Sequence, residues 1–355
     1  MSLQQQIATP IDRITFSSDE AALTRCALAK KLEESGNFEA ARGAMGKYWQ
    51  RVGERPLLVN LTRATAAEVL LRAGTLSGWL GSVHQIEGAQ ENAKDLLSES
   101  ITDFAELGRP LKAGEGKIEL AYCYWRQGAY DEARVLLADA LAAIGHDDAE
   151  LRAKGLLRTI IVERTAHKQN TAWQLLQEAA PLFEQITNST VKGGYHVELA
   201  VTLKNTGFAE GRADYIDRAL VEYAAASYHF EQAGHQRYRA NVENNLGNLF
   251  YQLHKYEEAH RHLERARRLF VSLKDKVHGA RTDETLANVL LAQGRNSEAE
   301  RCARAAVRAL EDGEELALLA QVLVAHATAL ARLHRPEPAR AALYRAMEAA
   351  DMAGD

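Results

Sequence analysis

Proline is scarce in this sequence, six residues in 355. A chain so poor in the residue that breaks helices has room for long ones between its turns. Beta-branched runs are few as well, while Ala, Leu, Glu and Arg recur throughout, and that balance favours an all-helical chain. Only three cysteines occur, Cys26, Cys123 and Cys302, far apart and in no metal-binding or redox spacing. Each sits in a helical pattern beside small or apolar residues, which predicts buried free thiols. No stretch of about twenty apolar residues appears, so no segment is expected to span a membrane. The polar opening, Met1-Ser-Leu-Gln-Gln-Gln, lacks the basic-then-apolar order of a signal peptide, and a cytoplasmic protein is expected. Excess positive charge is also missing. The formal net charge of −5 argues against a globally basic nucleic-acid binder.

Catalytic motifs are missing too. There is no H-E-x-x-H, no G-x-x-x-x-G-K-[ST] and no G-x-S-x-G. Gly114-Glu-Gly-Lys117 follows no strand and is no phosphate loop. His260 and His262 are two apart on a helix, point to different sides, and cannot chelate one ion together. The expectation is a protein that is not an enzyme, with no catalytic, cofactor-binding or metal-binding residues.

What the chain does contain is repetition. The stretch Asn241-Val-Glu-Asn-Asn-Leu-Gly-Asn-Leu-Phe-Tyr-Gln-Leu-His-Lys-Tyr-Glu-Glu-Ala259 reads as a helix, a tight turn and the start of a second helix. The small residue opening each second helix recurs at Ala41, Ala93, Ala133, Ala172, Ala219, Ala259, Ala299 and Ala339, at spacings of 52, 40, 39, 47, 40, 40 and 40. Gly36, Gly74, Gly128, Gly207 and Gly294 are read as closing first helices, since glycine enters the left-handed conformation cheaply. His254 and His334 take that place in two other copies. Ser17-Ser-Asp-Glu20 has the spacing of a capping box opening repeat one.

The wide spacings predict insertions near 74–85 and 208–214. The first, Gly74-Thr-Leu-Ser-Gly-Trp-Leu-Gly-Ser-Val-His-Gln85, reads as a loop too apolar to be idle. A lone helical hairpin cannot bury its apolar stripe, so neighbours must stack and share a core. The expected fold is all-α: one right-handed α-solenoid over 1–355, with about eight helix-turn-helix repeats after an N-terminal extension over 1–16.

Leu246, Gly247, Phe250, Tyr256 and Ala259 come close to the tetratricopeptide pattern of W-x2-L-G-x2-Y followed by Ala, with Glu243 standing for Trp and Phe250 for Tyr. Leu120-Ala-Tyr-Cys-Tyr124 and the Tyr-Asp-Glu-Ala and Tyr-Glu-Glu-Ala turns at Tyr130 and Tyr256 repeat the likeness. The chain thus resembles tetratricopeptide-repeat proteins with long repeats, of the kind found in bacterial regulatory proteins. The run from Asp214 to Gly234 is similar to repeat regions that precede a DNA-binding effector domain, which here would lie beyond Asp355.

The resemblance implies that first helices line a concave groove for a peptide or protein segment. Asn241, Asn244 and Asn248 share one helical face, and a ladder of amides, each both donor and acceptor, can pair with an extended peptide backbone. Tyr251 extends that face. Arg281, Glu284 and Asn288 are equivalent to the asparagines one repeat later, and Lys204 corresponds to Tyr251 upstream. The alternative is that some of these asparagines stitch neighbouring helices together. Trp79 is a second contact candidate, as part of a lid or packed back on repeats one and two.

The basic segment Arg261-His-Leu-Glu-Arg-Ala-Arg-Arg-Leu269 is expected to be a solvated outer face, so nucleic acid is not an expected partner here. The last repeat has no polar capping helix. Self-association through it is the further possibility, as is a chain that continues into another element.

Overall fold

Helix follows helix along the whole of the computed structural model, which describes residues 17–354 apart from 312 and 314. The expected extension over 1–16 lies outside the described residues. Among them stand sixteen α-helices and no strand. They run as α1 (Ser18–Glu34), α2 (Phe38–Met45), α3 (Arg63–His84), α4 (Ala89–Glu106), α5 (Pro110–Arg126), α6 (Tyr130–Ile144), α7 (Ala149–Thr165) and α8 (Gln169–Gln185). Then come α9 (Ser189–Glu210), α10 (Ala213–Gln232), α11 (Gln236–Gln252), α12 (Tyr256–Ser272), α13 (Lys276–Ala292), α14 (Asn296–Leu310), α15 (Leu316–Arg332) and α16 (Pro336–Ala353). Odd-numbered helices are the first helices of eight hairpins and even-numbered ones the second.

The periodic alanines explain the pairing. Ala41, Ala93, Ala133, Ala172, Ala219, Ala259 and Ala299 are all 0% exposed, and Ala339 is 6% exposed. Each lies in the first turns of a second helix and is packed away from solvent, where a small residue lets neighbouring helices approach closely. Gly247 is the matching residue on α11: a Cβ there would lie 2.5 Å from Leu263 Cγ on α12.

Turn punctuation follows the sequence reading at five positions. Gly36, Gly128 and Gly294 adopt φ of 73°, 76° and 75°, and His254 and His334 adopt 58° and 57°. The capping box at α1 is formed: Ser17 Oγ accepts from Glu20 N–H at 3.2 Å, and Ser17 N–H donates to Glu20 Oε2 at 3.0 Å. The three cysteines are buried free thiols, and burial raises all of them, Cys26 and Cys123 to about 12.

Gly74 and Gly207 do not end helices. Gly74 lies inside α3 and Gly207 inside α9, each helix running 22 residues. Both glycines serve close approach instead, since a Cβ would meet Leu97 Cγ or Ile216 Cδ1 at 2.8 Å. The apolar stretch read as a loop after Gly74 is thus the second half of a buried helix. The residues counted as insertions lengthen α3 and α9 and the lead from α2 into α3, and Gly211, at φ 66°, ends α9.

The described residues form two compact units. The first holds α1 to α10, up to His235 and without Val83–Gln85, and the second holds α11 to α16. Within the first, α9 begins beside the end of α1: Thr190 Oγ1 donates to the Glu34 carbonyl at 2.9 Å. Its core is built hairpin by hairpin, for example Ala67, Leu71, Ala93, Leu97, Phe104 and Leu120. In the second unit, Leu263, Leu286, Leu290 and Ala303 make one such cluster and Val307, Leu310, Val322 and Leu323 another.

Candidate binding faces

In the second unit the face of interest is on α11. Asn241, Asn244 and Asn248 are half-buried there, and none of the three side chains hydrogen-bonds to any described residue. The amide oxygen of Asn244 is closed off from solvent and has no hydrogen-bond partner. An amide oxygen in that condition forgoes a hydrogen bond that water would have supplied. Among the described residues, no hydrogen bond from these three side chains stitches neighbouring helices.

The other expected members of the face behave differently. Tyr251 is half-buried against the cluster around Leu263 and lies 6.2 Å from the Tyr256 ring, so it packs at the hairpin turn. One helix over, on α13, Asn288 Nδ2 and Thr285 Oγ1 both donate to the Glu284 carboxylate. Burial raises the Glu284 carboxyl above its ordinary value, opposed by those hydrogen bonds and by Arg281. Arg281 itself is exposed. The helices α11 and α13 are in contact, so these residues form one neighbourhood.

Lys204 and Trp79 are not part of it, for both lie in the first unit. Lys204, on α9, is half-buried, and burial together with nearby Arg164 lowers its ammonium pKa. Trp79, on α3, is 9% exposed. Its ring stacks on Phe38 at 4.7 Å and meets Tyr122 at 5.0 Å, with the Arg126 guanidinium 4.4 Å from its centroid. It packs on repeats one and three and forms no lid.

The first unit carries a feature absent from the expectations. Arg72 on α3 is wholly buried, and three carboxylates surround it: Glu33 of α1 at 3.1 Å, Glu68 one turn back at 3.5 Å, and Glu115 of α5. Lys30 reaches Glu115 at 2.9 Å, and Lys112 bridges Glu68 at 2.7 Å and Glu115 at 3.2 Å. On the next first helix Lys154 pairs with Glu119. Burial opposes the Glu115 carboxylate, but Arg72, Lys30 and Lys112 outweigh it and hold the carboxyl well below the usual range. Glu33 has fewer cations around it, and there burial wins and raises the carboxyl despite Arg72. Burying such a cluster is costly unless its charges are paired, and here each carboxylate has at least one cation beside it. The signal was present as Glu68 and Arg72 inside the apolar run of α3.

Glu243, where the repeat pattern has Trp, ties its hairpin by a hydrogen bond: Oε2 lies 2.7 Å from His262 Nδ1. Phe250 stacks on that same imidazole at 5.2 Å. The Trp position is thus filled by a polar tie in place of apolar bulk.

No family model matches the chain, and no characterised protein emerges as a sequence relative. Solved structures do match in shape. A Rap protein complexed with competence and sporulation factor is similar over 94% of this chain and 98% of its own, with a TM-score of 0.59 and 15% identity. The apo quorum sensor NprR from B. thuringiensis is similar over 97% of this chain and 91% of its own, with a TM-score of 0.59 and 12% identity. A signal-transduction ATPase with a tetratricopeptide-repeat sensor from Pyrococcus horikoshii is similar over the whole of this chain, with a TM-score of 0.59 and 12% identity, but the match spans only 63% of that larger protein. The fold is a tetratricopeptide-type α-solenoid. At these identities the likeness establishes fold and nothing of partner. No helix among the described residues is long and apolar enough to cross a membrane.

Proposed function

We propose that the chain is a non-catalytic scaffold that binds a peptide or protein segment, and that it is the sensing or partner-binding part of a bacterial regulator. The carrying observation is the α11 face, where Asn241, Asn244 and Asn248 present amides that no described residue satisfies. An amide offers a donor pair and an acceptor, so successive asparagines one helical turn apart can follow a peptide main chain without regard to its side chains. Adjacent α13 adds Arg281, exposed and without an ion pair among the described residues. Among proteins of the same fold are a quorum sensor, a repeat sensor and a protein complexed with a competence and sporulation factor, which supports a sensing role.

The test uses a peptide selected on the full chain from a random-sequence display library. The Asn244→Ala, Asn248→Ala double variant should bind it about 30-fold more weakly, at roughly 1 kcal/mol per lost hydrogen bond. Its helicity and melting temperature should stay at the parental values. Parental affinity in the double variant would remove this face from the account.

A further inference from the structure

The first unit holds a cavity of about 420 Å³ over the first helices of repeats one to three, outside the α11 face. Leu23 and Ala27 of α1 and Ala64 of α3 give it apolar walls, and Lys30, Arg109 and Lys112 bring three cations. One carboxylate, Glu68, shares the lining. The charges beneath can be followed one by one. Glu33, Glu68 and Glu115 are matched by Arg72, Lys30 and Lys112, three against three. Arg109 is left over. It is exposed, immediately precedes α5, and among the described residues forms no ion pair or side-chain hydrogen bond. The nearby acids at the end of α4, Asp103 and Glu106, are both taken up by Arg63.

An uncompensated guanidinium flanked by two lysines, on the rim of a cavity with an exposed leucine, fits a particular occupant. We propose that this cavity binds a peptide segment in which acidic side chains alternate with apolar ones, an acid meeting Arg109 and the apolar residues covering Leu23. Guanidinium and carboxylate pair through two parallel hydrogen bonds, which gives direction as well as attraction. The apolar walls favour a peptide over a free anion, because phosphate would leave Leu23, 45% exposed, uncovered. The inference is independent of the α11 amides, which lie in the other unit.

The experiment titrates the full chain with a fluorescent peptide of alternating glutamate and leucine, beside a glutamine–leucine control and inorganic phosphate as competitor. Arg109→Ala should weaken the glutamate peptide about tenfold, the scale of one charge-assisted contact. Leu23→Ala should weaken it severalfold, and the glutamine control should bind no better than the Arg109 variant does. Both substituted side chains are exposed and neither is an ion-pair partner within the Arg72 cluster, so parental melting temperatures are expected. Equal binding of the control, absence of binding, or full affinity in either variant overturns the proposal. Displacement by phosphate with no effect of Leu23→Ala would identify a simple anion site and also overturn it. A loss caused by Asn244→Ala and Asn248→Ala but not by Arg109→Ala would move the acidic peptide to α11, overturning this site and leaving the proposed function standing.

Discussion

Asp283 shows how a single side chain carries the cost of the second unit's packing. Its carboxylate sits 2.9 Å from Arg267 Nε, and its backbone carbonyl accepts from the Cys302 thiol at 3.3 Å. Burial pushes the carboxyl up to about 6, with Arg267 opposing. A carboxyl whose value rises on folding binds its proton more tightly in the native state. Stability therefore falls as pH rises from about 4, where the unfolded chain ionises, to about 6, where the native chain does. Asp283→Asn should remove that slope and raise stability above pH 6 by about 2–3 kcal/mol. Melting temperatures between pH 4 and 7 check it, and an unchanged slope would show that other groups carry the dependence. Residue chemistry was only partly legible in the sequence. The unpaired asparagines could be placed on a face because helical spacing is a local property. The ring of acids around Arg72 could not, because Glu33, Arg72 and Glu115 meet only when three hairpins stack.

At the scale of the helix, the sequence reading succeeded where a residue acts on its own turn and failed where it acts on a neighbour. Gly128 and His254 end helices by a local backbone preference, visible beside the turn residues that follow. Gly74, Gly78 and Gly81 look alike in sequence but make α3 smooth for α4, a role that depends on Ala89, Ala93 and Leu97. Gly81 is the tightest, since a Cβ there would lie 2.2 Å from the Ala89 Cβ. Gly81→Ala should therefore destabilise the protein by about 1–3 kcal/mol, although alanine is the better helix former by about 1 kcal/mol. Denaturant unfolding of the variant decides between the two effects, and a stabilised protein would mean that α3 and α4 are not pressed together there.

For the whole molecule, period was the strongest sequence signal and fold its safest consequence. Three successive spacings of 40 residues correspond to α10, α12, α14 and α16, and the same alanine is buried at each. The division into two units was not legible, because the repeats run on across it without a change of composition. The first unit pairs buried charges across its helices, and in the second unit the buried amide oxygen of Asn244 on α11 has no hydrogen-bond partner among the described residues. The proposed function puts main-chain recognition on that α11 face. Side-chain amide resonances of isotope-labelled asparagine, followed while the full chain is titrated with a library-selected peptide, test this most directly. The account predicts that Asn241, Asn244 and Asn248, assigned by substitution one at a time, shift together and saturate with the peptide. Saturation of binding with those three resonances unmoved would contradict it.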